Sequence, residues 1–393
     1  MRVSLNKLCA LASLVALVSV ALVTAGAGPE PSFNLPPPAI DRVGRAQIFD
    51  YHVKDKSVLV GRRDFMWASS GAAAPGVYST SYMPEDMDLD TSHDVAWYVA
   101  NHPDWLVYGC DRSPTREYDG RHVSVDITNP AVREALFAQG VIGVLAKRPY
   151  QSIGVDNLDN ANSFRECGVL HDGRLQRLYS GQRADPSFAD REAEWMAWLA
   201  ARVHARGLAL TGNLSYNGQD HGSYLKILRN LDVVLDEEGF ERKCRPLQLD
   251  AAWLDRDRFF EGVAKAKPLI VIEQVCPTLA EITPATIVWS LANYLLIKQD
   301  RTYLALTPEV DPYGAVYDFP ELYLKLGLPL GPMEETHGAY LRRFQRALAL
   351  VNPSSVSSAT VDVGAGDWRD EASGAPAARQ ITLAPATAMV LVR

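Results

Sequence analysis

Eight short apolar runs recur along the chain, and most end in a polar, acidic or aromatic residue: Gln47–His52, Asp64–Ser69, Gly76–Tyr82, Ile153–Asp159, Leu208–Leu214, Val233–Glu238, Leu269–Val275 and Tyr303–Thr307. Parallel strands covered on both faces read as continuous apolar segments rather than alternating ones. Many of the intervals leave room for a helix, and three carry helix signals. Asn129-Pro130 before Ala131–Gln139, and Thr283-Pro284 before Ala285–Lys298, each supply an N-cap and a proline at the first helical position. Phe188–Arg206 sets Trp195, Trp198, Leu199, Arg202 and Val203 at helical spacing and stops at Gly207. Strands and helices in this layout predict an α/β fold, a (β/α)8 TIM barrel, whose chemistry sits at the strand C-termini.

From about Gly338 the pattern changes. Arg343–Asn352, Ala359–Val363 and Ile381–Val392 are short alternating or β-branched runs separated by turn residues, which predicts a small C-terminal antiparallel β domain. At the other end, Arg2 and Lys7 precede an uncharged stretch from Leu8 to Val23 and then Ala25-Gly26-Ala27, the layout of a secretory signal peptide rather than an anchor. The expected organisation is a signal peptide over 1–27, a Pro-rich extended linker over 28–40, a catalytic barrel over 41–335 and a β domain over 336–393. A protein so built is secreted, extracellular or periplasmic, with no membrane span after cleavage.

The net charge of −8 counts Arg2 and Lys7, so the mature chain is more acidic still. No basic patch offers a footprint for nucleic acid, and neutral or cationic substrates suit the balance better than polyanions. Four cysteines remain after cleavage: Cys110, Cys167, Cys244 and Cys276. Four allow three pairings. Cys110 follows the third run and Cys167 the fourth, while Cys244 follows the sixth and Cys276 the seventh, so neighbouring loops favour Cys110–Cys167 and Cys244–Cys276. No Cys/His spacing suggests zinc, and no cofactor or metal is expected.

The run ends supply the candidate chemistry. The fourth closes on Asp156-Asn157-Leu158-Asp159, more acids and amides than a turn requires, and alternation puts Asp156 on the face of Gly154. The sixth closes on Asp236-Glu237-Glu238, where mutual repulsion raises at least one pKa and so keeps a proton available for general acid catalysis. Asn213 ends the fifth with an amide that both donates and accepts. In the seventh, Glu273 is followed by Gln274, and one of the two faces inward; Glu273 suits a site role or a buried ion pair. Tyr51, His52, Trp67 and Tyr82 surround these acids with rings suited to stacking on sugar C–H faces.

The segments Val123–Arg133, which includes Asp126, Ile153–Asp159, Val233–Phe240 and Arg343–Pro353 resemble hypothetical glycosyl hydrolase family 15. More distantly the chain is similar to the barrel of endo-α-1,4-polygalactosaminidases. In those barrels the catalytic pair is an acid at the end of strand four and a glutamate at the end of strand six. By position the resemblance implies Asp156 and Glu237, with Gly239 standing where the distant relatives tend to carry Cys and the doubled glutamate leaving Glu238 as the alternative. The expectation is thus a monomeric secreted glycoside hydrolase of polysaccharide or oligosaccharide. Asp156 would be the nucleophile and Glu237 the acid/base of a retaining mechanism, with Asp159, Asn213, Glu273, Tyr82, Trp67, His52 and Asp126 binding substrate. Two rival readings remain: a non-catalytic glycan-binding barrel, and an enzyme whose acidic mouth holds a divalent cation.

Overall fold

The structure, a computed structural model, describes residues 33–70, 74–90, 92–116, 122–216, 220–310 and 313–393. The expected signal peptide and the first part of the linker lie outside the described residues. Nine strands form one wholly parallel sheet: β1 (Gly44–Ile48), β2 (Phe65–Trp67), β3 (Tyr78–Ser79), β4 (Met83–Pro84), β5 (Ser152–Asp159), β6 (Ala209–Ser215), β7 (Val233–Asp236), β8 (Leu269–Gln274) and β9 (Thr302–Thr307). In space the order is β3-β2-β1-β9-β8-β7-β6-β5-β4. Of the two ends of that order, β3 lies in the expected run Gly76–Tyr82 and β4 follows directly after it, and Thr80 between them bridges Ser152 of β5 in parallel.

The longest helices are α1 (Val95–Asn101), α2 (Pro130–Phe137), α3 (Pro186–His204), α4 (His221–Leu228), α5 (Asp250–Ala266) and α6 (Pro284–Ile297). The expected caps hold two of them. Asn129 accepts from the Ala131 amide at 2.9 Å and Thr283 from the Thr286 amide at 3.3 Å. In α3, Trp195 and Leu199 are fully buried, and the partly buried Trp198 packs against the same layer, 5.2 Å from the Trp195 ring, so the two tryptophans serve packing.

Alternation along the strands divides the sheet between two apolar layers. Val234, Leu269, Val271, Leu304 and Leu306 face outward among Leu199, Ile227, Phe260 and Leu291 of the helices. Val233, Leu235, Ile270, Ile272, Tyr303 and Ala305 face the other way, with Phe65 and Trp67, and among the described residues no helix contributes to that layer. Both faces are therefore dry, which is why the strands read as unbroken apolar runs.

Part of the stretch expected as a free spacer is docked instead. The carbonyls of Asn34, Pro36 and Ala39 accept from Tyr78 Oη (3.1 Å), Arg301 Nε (3.0 Å) and Lys298 Nζ (2.6 Å), and that of Pro37 accepts from Tyr303 Oη. Ala39 is buried and joins the inner layer with Leu35. Proline-rich backbone cannot pair its own carbonyls, and here they are taken up at the N-terminal ends of β3 and β9, opposite the strand ends that carry the acids.

After Gly338 the described residues are antiparallel β structure. Glu334–Thr336, Ala339–Arg343, Ala347–Asn352, Thr387–Val392 and Arg369–Asp370 make one sheet, and Ala359–Asp362 pairs with Gln380–Leu383. Alternation again serves two layers: Ala347, Ala349 and Val351 join the helices' layer, while Leu348 and Leu350 face Val361, Trp368 and Ile381. A three-stranded antiparallel patch, Val107–Gly109, Glu166–His171 and Arg174–Arg177, was not expected. It carries the Cys110–Cys167 disulfide. Both expected pairs form, with Cα separations of 5.1 Å for Cys110–Cys167 and 4.6 Å for Cys244–Cys276.

Candidate active site

The same alternation decides which end residues meet. On the inner parity, Gly154 leads to Asp156, Thr211 to Asn213, Val233 and Leu235 to Glu237, and Ile270 and Ile272 to Gln274. Asp236 and Glu273 fall on the outer parity. At the end of β5 the pairing with β6 slips between Val155 and Leu158, and Asn157 sits at φ +66°. Asparagine tolerates that left-handed conformation, and the bulge aims the Asp156 carboxylate while the Asn157 amide hydrogen-bonds to it.

Asn213 is the keystone of the arrangement. Its Nδ2 donates to Asp156 Oδ1 at 2.7 Å and to Glu237 Oε2 at 2.7 Å. Two legs of 2.7 Å put those oxygens no more than twice that length apart, and the trigonal angle between the two N–H bonds brings them to roughly 5 Å. Tyr82 also hydrogen-bonds to Asp156. Glu237 Oε1 accepts from Gln274 Nε2 at 3.1 Å and from the Tyr313 hydroxyl. Gln274 Nε2 also donates to the Tyr313 hydroxyl at 3.1 Å.

Burial and then the charge of Asp156 push the Glu237 carboxyl up to about 7, against the hydrogen bonds from Tyr313, Asn213 and Gln274. Burial raises Asp156 as well, against its contacts with Asn213, Tyr82 and the Asn157 amide. The two carboxyls titrate as a pair: burial and the charge of either one resist ionisation of the other, so the pair holds on to one proton. One ionised and one protonated carboxyl, about 5 Å apart at the end of a parallel sheet, can do nucleophilic and acid–base work on one bond.

The sequence profile of hypothetical glycosyl hydrolase family 15 matches residues 77–348, which include Asp156, Asn213, Glu237 and Gln274. The chain belongs to hypothetical glycosyl hydrolase family 15. It is a glycoside hydrolase. No curated protein matches the sequence. Among solved structures, the glycoside hydrolase domain of PelA from Pseudomonas aeruginosa is similar at 16% identity over 71% of this chain and 98% of that one, TM-score 0.42. A GH31 dextranase of Flavobacterium johnsoniae is similar at 11% identity over 91% and 52%, TM-score 0.48. A GH27 β-L-arabinopyranosidase of Geobacillus stearothermophilus is similar at 11% over 80% and 73%, TM-score 0.45.

The other candidate residues of this hydrolase are spread more widely than the sequence suggests. Glu238, half-buried, lies 3.5 Å from Arg256 Nη1; burial and then the charge of Asp236 raise it to about 7. Asp236 pairs with Arg256 Nη2 at 2.7 Å. The three consecutive acids thus diverge, two to Arg256 and one to Asn213. Glu273 turns away from the pair: its oxygens accept from the Phe240 amide at 2.9 Å and the Glu241 amide at 2.5 Å. Burial raises it to about 8. It is a backbone clasp, and Gln274 is the inward member of the two. Gly239 crosses that clasp at φ +62°, where a Cβ would lie 2.4 Å from Glu273 Oε2.

Trp67, fully buried, fills the inner layer; a Cβ on Gly154 would lie 2.8 Å from its ring. It is core below Asp156 and offers no face to a sugar. His52 is exposed and packs edge-on to Tyr51 at 4.7 Å. Tyr51, more than half exposed, feels the Glu237 charge. Asp159 accepts from the Ala161 amide at 2.9 Å and from the Ser163 hydroxyl, within its own loop. Asp126 is buried and accepts from the Thr128 amide and hydroxyl at 2.9 and 2.6 Å, holding the turn before α2. The rings gathered at the pair are Phe49, Tyr51, Tyr82 and Tyr313, the last three centred 5.2, 6.4 and 5.5 Å from Phe49. Tyr313 and Gln274 carry roles the sequence reading did not give them. The available signal was place alone, since Tyr313 lies in the loop after the eighth run, on the mouth side.

Proposed function

We propose that the chain is an exported, monomeric, retaining glycoside hydrolase that cuts O-glycosidic bonds of a polysaccharide, with Asp156 as nucleophile and Glu237 as acid/base and no cofactor. The observation that carries the proposal is the Asn213 amide shared by both carboxylates. A spacing near 5 Å leaves no room for a water between sugar and base, as inversion needs, and suits attack by a carboxylate. In the first step Glu237 gives its proton to the leaving oxygen while an Asp156 oxygen bonds the anomeric carbon as the glycosidic C–O bond breaks. In the second, Glu237 takes a proton from water, the water oxygen bonds the anomeric carbon, and the bond to Asp156 breaks. Each step inverts, so the product keeps the starting configuration. Positioned acid–base groups contribute roughly 10²–10⁴-fold each.

Tyr82, Tyr51 and Tyr313 are assigned to the sugar's faces and Asn213, Gln274 and Asp159 to its hydroxyls. We read the sheet as a closed eight-stranded barrel, with β3 and β4 as two pieces of one strand; the Thr80–Ser152 bridge supports closure. Export is supported by the signal-like amino terminus and by two disulfides. Among the described residues no helix is long and apolar enough to cross a membrane. The divergence of Asp236 and Glu238 to Arg256 argues against the reading of the three acids as one cation sphere.

The test is a panel of microbial and plant polysaccharides assayed for new reducing ends with the purified mature chain and its Asp156→Asn variant. Release that disappears in the variant is expected. Binding of a glycan without release, or release that survives Asp156→Asn, would support the non-catalytic reading or another pair.

A further inference from the structure

The C-terminal sheets enclose a second cleft, of about 450 Å³, that the hydrolytic site does not use. Arg343, Arg379 and Arg393 line it around Trp368, Phe344 and Leu330. Each guanidinium is fixed on one side only. Arg393 donates Nε and Nη2 to the Gln345 carbonyl at 3.0 and 2.9 Å and lies 4.8 Å over the Trp368 ring. Arg343 donates Nη1 to the Val363 carbonyl at 3.1 Å. Arg379 pairs with Asp362, 3.2 Å from Nε and 3.1 Å from Nη2.

A guanidinium has five N–H donors in a planar fork that matches a carboxylate, and the anchored edges leave the others for a ligand. Asp362 and the α-carboxylate of Arg393 offset two of the three positive charges. An excess of positive charge is left in one cleft of a chain whose net charge is −8. The volume falls within the range of small-molecule sites and exceeds what a single inorganic anion fills. Leu330, 60% exposed at the rim, offers apolar surface to sugar C–H groups. Trp368 is buried and serves to hold Arg393 rather than to stack on a ligand.

We propose that this cleft binds an acidic saccharide, a chain of carboxylate-bearing sugars, through Arg343, Arg379 and Arg393. It is a binding site on the β domain, separate from the strand-end carboxylates, that tethers the hydrolase to acidic glycan. The ligand class follows from the chain being a glycoside hydrolase; the binding does not depend on which carboxylates cleave.

The experiment is calorimetric titration of the full mature chain carrying Asp156→Asn, so that turnover does not enter and failure of the catalytic reading is scored separately. Probes are oligosaccharides containing galacturonate, mannuronate or glucuronate, their methyl esters, and inorganic phosphate. Binding of at least one uronate oligosaccharide is expected, weakened by salt, at least tenfold weaker as the methyl ester and at least tenfold tighter than phosphate. Arg343→Gln with Arg379→Gln should weaken it at least tenfold. Leu330→Asp, which changes an exposed rim residue, should do the same without altering the melting temperature. No binding by any uronate, equal binding of the esters or of phosphate, or affinity unchanged in both variants would overturn the proposal.

Discussion

Replacing Tyr313 by Phe removes one oxygen and leaves the ring against Phe49, 5.5 Å away. That oxygen donates to Glu237 Oε1 and favours the ionised carboxylate. A hydrogen bond to a charged group contributes about 1.5–3 kcal/mol, and about 1.4 kcal/mol is one pKa unit. Because Glu237 is largely buried but keeps its bonds to Asn213 and Gln274, those amides recover part of the loss, so a shift of about one unit is expected. The sign is upward, from about 7 towards 8. The first chemical step needs Glu237 protonated, so the alkaline limb of kcat/KM should move to higher pH by about one unit in Tyr313→Phe, while kcat at the optimum falls by no more than about tenfold. The assay is initial release of reducing ends by both proteins across the neutral and alkaline range. An alkaline limb that stays in place or moves down would refute the assignment of Glu237 as the proton donor held by Tyr313.

Gly239→Ala should destabilise by at least about 2 kcal/mol, since the left-handed backbone alone costs about 1–2 kcal/mol and the new Cβ would meet the Glu273 carboxylate; an unchanged denaturant midpoint contradicts this. Burial holds Glu273 near 8, and burial and then Glu273 hold Glu241 near 9. The folded chain thus keeps protons that the unfolded chain releases above the ordinary glutamate range, and stability declines as pH rises from that range towards 8 to 9. Glu241→Gln should flatten this decline in melting temperature, and an equal or steeper decline would contradict it. Removing the Cys110–Cys167 disulfide, which spans 57 residues, should cost about 4 kcal/mol in a chemical denaturation series of the double serine variant; a loss under about 1 kcal/mol would show that the loops hold without it.

What was legible in the sequence follows from burial. Strands covered on both sides must be apolar throughout, so β5 to β9 stood out as largely apolar runs, and the polar residues near their C-terminal ends, among them Asp156, Asn213 and Glu237, mark the sheet's rim. The helix starts at Pro130 and Pro284 were legible because capping is local chemistry. Adjacent loops fixed the disulfide pairs. Trp67 was misplaced because a buried run does not announce which of its rings reaches the mouth, and Gly154 opposite it is visible only once β2 and β5 are in space. Glu273 and Gln274 could not be separated without the parity of the whole sheet. Arg256, which draws off Asp236 and Glu238, lies 20 and 18 residues beyond them in α5, where sequence spacing says little about the rim. Tyr313 lies in an irregular loop with no periodicity to read. The proline-rich segment looked like a spacer since composition gives stiffness and not docking; its partners, Tyr78, Lys298, Arg301 and Tyr303, come from far along the chain.

The measurement that bears most directly on the central claim is the anomeric configuration of the first product, read by proton NMR before mutarotation on whichever polysaccharide the panel identifies. Asp156 and Glu237 sharing the Asn213 amide predict release with the configuration of the bond that was cut, and loss of that signal in Asp156→Asn and Glu237→Gln but not in Glu273→Gln. Initial release of the opposite anomer would contradict the double displacement, and full activity in Glu237→Gln would remove the pair.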